Sequence, residues 1–218
     1  MSRSKLKKFQ EITTRKNVIE VVYPNKQNIS IDWQAHFGNK NPIILELACG
    51  NGEYTNGLAA LNLDKNYIGI DIKGERIWQA STDSITNNLT NAAFFRCQID
   101  HLADYFEPNS VSEIWIIHPD PFLRESDTKK RLTSRKFLNI YRQFCRPNSI
   151  VYLKTDSQEL FDFTLKILIS ENITPIVAVN DLYKSHFLTD HHLIITRFER
   201  KALNNGGKIY YIKFSLKS

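Results

Sequence analysis

Carboxylates and glycines recur along this chain where a small polar ligand would need them. Residues 43–52 read Ile-Ile-Leu-Glu-Leu-Ala-Cys-Gly-Asn-Gly. The apolar half fits a buried parallel strand, and the small residues after it fit a tight strand-to-helix turn. Gly50 and Gly52 lack a Cβ, which frees the backbone there and lets a ligand lie against it. Glu46 sits inside the apolar run, where an unpaired carboxylate is costly to bury, so it needs a donor from a ligand or from the turn. The next predicted strand, 67–70, ends at Asp71, 19 residues beyond Gly52. That is the spacing at which nucleotide-binding α/β folds place an acid against ribose hydroxyls.

The position three residues after Gly52 is Thr55, not the third glycine of a dinucleotide fingerprint. Glu-x-x-x-Gly-x-Gly followed by an acid closing the second strand resembles the class I S-adenosylmethionine (SAM) methyltransferases instead. Such a cofactor carries no pyrophosphate, so a helix N-terminus shaped to hold one is not required.

A second constellation lies at 118–122, His-Pro-Asp-Pro-Phe, at the end of the fourth predicted strand. Prolines on both sides restrict the backbone around Asp120 and hold its carboxylate at the strand exit. Phe122 offers a face on which a base can stack. The bland reading is a proline turn with a surface acid and a packed ring. A basic loop follows directly, in which Arg124, Lys129, Lys130 and Arg131 are within reach of phosphates.

At this point the resemblance narrows. Pro-Asp-Pro-Phe, then Lys-Lys-Arg-Leu-Thr-Ser at 129–134, then Thr155-Asp156, Thr196-Arg197-Phe198-Glu199 and Gly207-Lys208-Ile209-Tyr210 resemble, in order, the motifs of the bacterial tRNA (guanine-N7)-methyltransferases. The resemblance implies that Glu46, Gly50, Gly52, Asp71, Gln98, Ile99 and Asp120 hold SAM, with Asp71 on the ribose and Gln98 and Ile99 at the adenine. It implies that Asp120 is the catalytic acid and that Arg124, Asp156, Thr196, Arg197, Phe198 and Glu199 contact the target nucleotide. Lys129, Lys130 and Arg131 would touch the tRNA backbone, and no metal is implied. The implied reaction is methyl transfer to N7 of a guanosine in tRNA, at position 46 of the variable loop. His118 and Phe122 depart from common family choices, Gln98 replaces an acid or Asn, and Asn148-Ser149 replaces glycines.

The elements that must position these residues follow from periodicity. Helices are expected over 53–61, 74–88, 102–106 and from 156 to 170, and strands over 92–97, 112–117, 173–179 and 208–214. Ile77, Trp78 and Ile85 are expected to face the sheet. This alternation gives an α/β fold with a mostly parallel sheet, an antiparallel edge and helices on both faces, which the resemblance implies is a Rossmann-like class I methyltransferase. In such sheets ligands bind at the carboxyl ends of the strands, where every motif above lies. Asp156-x-x-Glu159 also matches a capping box, so Asp156 reads equally as helix cap or substrate ligand.

At 218 residues, 42% of them hydrophobic, the chain suits one globular domain at 41–218. Residues 1–40 read as a basic N-terminal tail, mobile over 1–14, and an irregular covering segment in which apolar 18–23 stops at Pro24. No apolar run approaches membrane-spanning length and no signal segment is present, so a cytoplasmic protein is expected. Cys49, Cys97 and Cys145 are too dispersed for a zinc site and read as reduced core residues. His186, His191 and His192 have no matching ligand spacing.

The net charge is +6, and it is concentrated. Residues 1–16 hold six bases against Glu11, and 124–136 hold six against Glu125 and Asp127, which leaves the rest mildly acidic. Two basic patches point to a polyanion, here tRNA, with no membrane partner; for the first patch a merely solvated run serves equally well. The chain would act as a monomer or homodimer. Two other functions fit the fold: a class I methyltransferase acting on another RNA or a non-RNA substrate, and a non-catalytic RNA-binding module. Retention of Glu46, Asp71, Asp120 and Asp156 argues against the last, since a pure binder has no use for acids beside a polyanion.

Overall fold

The computed structural model describes residues 3–21, 31–188 and 193–216. Its centre is an eight-stranded sheet in the order β1-β4-β3-β2-β5-β6-β8-β7. The strands are β1 (Val18–Glu20), β2 (Ile43–Leu47), β3 (Asn66–Ile70), β4 (Ala92–Arg96), β5 (Val111–Ile117), β6 (Cys145–Thr155), β7 (Val177–Val179) and β8 (Tyr210–Ser215). All pairings are parallel except those of β8, which runs antiparallel to both β6 and β7. The strand order reverses between β2 and β5, so the crevice for a ligand opens at their carboxyl ends.

Strand alternation decides which side chains meet. Ile43, Leu45 and Leu47 enter one core with Ile114, Ile116, Val151 and Leu153, covered by α5 (Arg135–Tyr141) and α6 (Gln158–Ser170). Ile44, Trp115 and Tyr152 enter the opposite core, covered by α3 (Glu53–Leu61) and α7 (Arg197–Asn204). Glu46 on β2 and Lys154 on β6 therefore project to this second side. Trp115 and Tyr152 stack across β5 and β6 with ring centroids 3.8 Å apart, which closes the sheet surface between them.

The predicted elements form, with shifts of a few residues. The 102–106 helix is a pair of 3-10 turns over Ile99–Asp104, and the 173–179 strand shortens to β7. The three cysteines are buried and free. Ile77 faces the sheet as expected, but Ile85 is exposed and Trp78 turns to a different partner.

That partner is the N-terminal segment, where the expected mobile tail is corrected. Residues Arg3–Ile12 form α1, which docks on α4 (Gly74–Thr86), and Val18–Glu20 forms β1, an edge strand paired with β4. Trp78 donates its indole N–H to Glu11 at 2.6 Å. Arg15 donates to the Trp78 carbonyl and to Thr82, both at 2.8 Å, and Ile12 is fully buried. The basic composition hid this contact: Lys7 is exposed, but Lys8 lies over the Trp78 ring of α4 and Ile12 turns into the core. The apolar stretch read at 18–23 runs past residue 21; 22 and 23 lie outside the described residues, as do Pro24, His191 and His192.

Gly74 makes the docking possible, since a Cβ there would lie 2.3 Å from the Phe9 ring. Gly74→Ala is therefore expected to raise hydrogen exchange over residues 3–12 while the main unfolding transition moves by less than about 1 kcal/mol. Unchanged protection of α1 would mean that Phe9 does not hold it.

Candidate active site

The turn after β2 is built by backbone freedom and one carboxylate. Ala48, Gly50 and Gly52 all have positive φ (58°, 58° and 71°), and a Cβ on Gly52 would lie 2.6 Å from that of Ala80. Glu46 finds its donors in the turn's own helix. Thr55 gives it a backbone N–H at 2.7 Å and its hydroxyl as well. Burial pushes the Glu46 carboxyl up to about 8 in spite of those bonds. Asp71 clamps the same turn from the next strand, accepting from the Gly50 N–H at 3.1 Å and the Lys73 N–H at 2.8 Å. Arg76 stands 3.4 Å from it.

In front of this turn lies a cavity of about 370 Å³, within the usual range for a small-molecule site. Asp71, Gln98, Ile99 and Asp120 line it with Ala48, Ile72, Pro119, Phe122, Leu132 and Phe137. Lys136, ion-paired with Asp100, and Lys130 stand at its edge. Of the residues expected to hold a cofactor, these four reach the cavity. Glu46, Gly50 and Gly52 do not line it; they shape the turn behind it. A mostly apolar slot with acceptors at Asp71 and Gln98 fits a nucleoside, whose rings need apolar walls and whose hydroxyl and amino groups need acceptors.

The 118–122 loop is held by more than its prolines. His118 and Phe122 both take left-handed backbone (φ 46° and 43°), a conformation that costs non-glycine residues about 1–2 kcal/mol each. The Phe122 N–H donates back to Asp120 at 3.1 Å, which fixes that carboxylate at the loop's exposed tip. Arg131 supplies the support. It is buried, its guanidinium donates to the Pro121 carbonyl at 2.9 Å and the Phe122 carbonyl at 3.1 Å, and it lies over Phe163. The expected phosphate contact of Arg131 is thus corrected: the side chain is buried, with its Nε and Nη2 turned onto the loop's own carbonyls. Lys129, Lys130 and Arg124 remain exposed, with Lys130 paired to Asp127 at 2.8 Å.

The capping-box reading of Asp156 is also corrected. Ser157 caps α6, accepting from the Leu160 N–H at 3.2 Å. Asp156 instead lies half exposed with its carboxylate 3.3 Å from His118 Nδ1. On its other side, His118 Nε2 faces Glu199 at 3.7 Å. Glu199 is fully buried, paired with equally buried Lys154 at 2.7 Å, and accepts from the Tyr183 hydroxyl at 2.8 Å. Glu199 is therefore a hub inside the site, whereas the sequence placed it on the target nucleotide. Thr196 caps α7 by accepting the Glu199 N–H, and the Arg197 N–H donates to Glu53 on α3. Arg197 and Phe198 are exposed beside them.

Sequence reasoning named neither Lys154 nor Tyr183 as site residues. A signal was present: Lys154 interrupts an apolar strand as Glu46 does, and the same burial argument applies to it. His186 packs on the Phe187 ring.

Burial alone would lower His118, but the contact with Asp156 and the negative charges of Asp156 and Glu199 outweigh it and raise His118 above its usual value. The hydrogen bond from His118 lowers Asp156 in turn. A raised histidine contributes stability fully present below the unfolded value and lost as pH rises through the folded one. His118→Phe should therefore cost more stability at pH 6 than at pH 9, read by urea denaturation. An equal cost at both would mean that packing alone holds the ring.

A family described as putative methyltransferase matches residues 40–212. The chain is 44% identical over 219 residues to the tRNA (guanine-N(7)-)-methyltransferase of Cytophaga hutchinsonii, covering 98% of each. It is 41% identical over 222 residues to that of Bacteroides thetaiotaomicron, covering 99% of this chain and 87% of the relative. Among solved structures, the 16S rRNA methyltransferase KamB shares the fold at a TM-score of 0.63 with 12% identity, covering 87% of this chain and 95% of its own. A SAM-dependent methyltransferase from Aquifex aeolicus aligns at 0.57 with 13% identity, covering 95% and 98%.

Proposed function

The chain belongs to the tRNA (guanine-N7)-methyltransferase family, and from that premise we propose that it methylates guanosine 46 in the variable loop of tRNA, with Asp120 as the central acid of the site. It is an enzyme that uses SAM to methylate N7 of guanosine in tRNA. The observation that carries the reading is the coincidence of that kinship with a nucleoside-sized cavity whose mouth holds the Asp120 loop. The relatives' names disfavour a methyltransferase of other substrates or a non-catalytic binder. No described helix is long and apolar enough to cross a membrane, and the same proposal sets the work in the cytoplasm.

When bound, SAM supplies an electrophilic methyl group; the S–CH3 electron pair stays on sulfur as the N7–CH3 bond forms. Guanine N7 already carries its lone pair, so the protein needs no base to activate it. What the residues contribute is placement, which alone can account for much of a rate enhancement. In this proposal Asp71 accepts from the ribose hydroxyls, and Gln98 and Ile99 meet the adenine. Ala48 and Pro119 close the floor. Asp120 stands where the two substrates meet, and its charge favours the positive purine that develops in the transition state. Asp156, half exposed and kept ionised by His118, accepts from guanine N1–H and the 2-amino group, which adenine does not offer. Arg124, Thr196, Arg197 and Phe198 border the nucleotide, and Lys129 and Lys130 meet the backbone.

The test is methyl transfer from labelled SAM to unmodified tRNA, with the product nucleoside identified by mass spectrometry. 7-Methylguanosine is expected, and its loss on a transcript carrying adenosine at position 46 would fix the site; persistent product on that transcript would exclude position 46. Asp120→Ala is expected to lower kcat/KM at least 1,000-fold, roughly 4 kcal/mol of transition-state stabilisation, with SAM affinity within a few-fold by calorimetry. Near-normal turnover would remove Asp120 from the centre of the site.

A further inference from the structure

Of the two basic patches in the sequence, the reaction site absorbs only the one at 124–136. The other becomes structural once α1 docks on α4. Between α1, the β3–α4 loop and the start of α7 lies a cleft of about 550 Å³. Lys8, Lys73, Arg76, Arg96 and Arg197 line it, and Glu75 is the one acid among its lining residues. Arg96 is anchored by Glu20 at 2.6 Å and Arg76 by Asp71 at 3.4 Å, so both are held in place. Lys8 reaches Glu75 only at 3.8 Å and lies over the Trp78 ring, 4.5 Å from its centroid. Lys73 and Arg197 are exposed. Cations with one acid among them, in a concave site with low-dielectric walls, focus a positive potential well beyond what scattered surface lysines produce.

The cleft is placed for use. Ile72 lines both it and the cofactor cavity, and Asn51, from the glycine turn, is part of its wall. Lys73, Arg76 and Arg96 follow or end β3 and β4 on one side of the switch point, whereas Lys129 and Lys130 follow β5 on the other. A polyanion laid across the site mouth would find cations on both sides.

We propose that this cleft, through Lys8, Lys73, Arg76 and Arg197, holds backbone phosphates of the RNA whose guanosine enters the active site, so that the two basic flanks grip the substrate from opposite sides. The inference rests on the functional reading above and adds the second contact surface. The docked helix is the rigid wall that makes it a cleft.

The experiment compares the full-length wild type with Lys73→Glu, Lys8→Glu/Lys73→Glu and the control Lys40→Glu, an exposed lysine at the amino edge of the sheet. Affinity for unmodified tRNA is measured by fluorescence anisotropy from 50 to 300 mM salt, alongside kcat, KM for tRNA and SAM affinity. Lys73→Glu should weaken tRNA binding at least about 5-fold at 0.15 M salt, and the double variant about 25-fold. The slope of log K against log salt should fall by about 1 per residue lost. SAM affinity and kcat at saturating tRNA should stay within 2-fold, and Lys40→Glu should match the wild type. If Lys8→Glu loosens α1, Lys73→Glu alone carries the test, since its side chain is exposed and makes no cap bond to α4. Cleft variants that bind and methylate tRNA as Lys40→Glu does would overturn the cleft and leave the enzyme's function standing. A wild type that shows the predicted slopes yet makes no 7-methylguanosine would keep the cleft and overturn the reaction. A wild type without tRNA affinity would overturn both.

Discussion

Lys154 and Glu199 are both fully buried, 2.7 Å apart, and the geometry of the site depends on them. Removing one partner from such a pair typically costs about 3–5 kcal/mol, because the other charge is left without compensation in the core. Burial lowers Lys154, and only Glu199 opposes that; burial raises Glu199, and His118, Lys154 and Tyr183 together bring it down. Each charge is tolerable only in the presence of the other. The pair therefore fixes the position of α7 on the carboxyl end of β6, and with it the Thr196 cap and the exposed Arg197 and Phe198. Through His118 the same network reaches Asp156. Its worth is positional, since a well-packed apolar pair can match such an ion pair in stability.

The acids divide into two groups by what surrounds them. Glu46 and Glu199 are enclosed, with one Glu46 oxygen accepting from Thr55 and one Glu199 oxygen meeting both Lys154 and Tyr183, so they set backbone positions. Asp120 and Asp156 sit at strand exits facing solvent, each steadied by one contact. Asp71 stands between, lining the cavity while it clamps the Gly50 turn. Rigid acids behind and addressable acids in front are what a site needs when its chemistry is placement.

The cations divide in the same way. Arg131 is buried and supports a loop whose backbone is strained at both ends, while its neighbours Lys129 and Lys130 stay in water. A guanidinium suits the inner role because it stays ionised and donates in a fixed fork to two carbonyls at once. Lys73 and Arg197, across the cavity, are outward-facing counterparts at the other flank.

The sequence by itself determined the α/β order, the antiparallel finish, the glycine turn and the Asp71 spacing, because strand and turn chemistry are local and act through period and glycine. It also marked Glu46 as needing a donor, since an apolar run on both sides implies burial. What it left to the tertiary structure were the relations between segments far apart in the chain. That Arg131 faces inward, that Ser157 and not Asp156 caps α6, that Glu199 meets Lys154, and that basic α1 docks on Trp78 all depend on which element packs on which. Composition showed the charges of residues 1–16 but not the apolar side of their helix. Only the fold, by bringing α1, α4 and α7 together, turns that run from a solvated tail into the wall of a cleft.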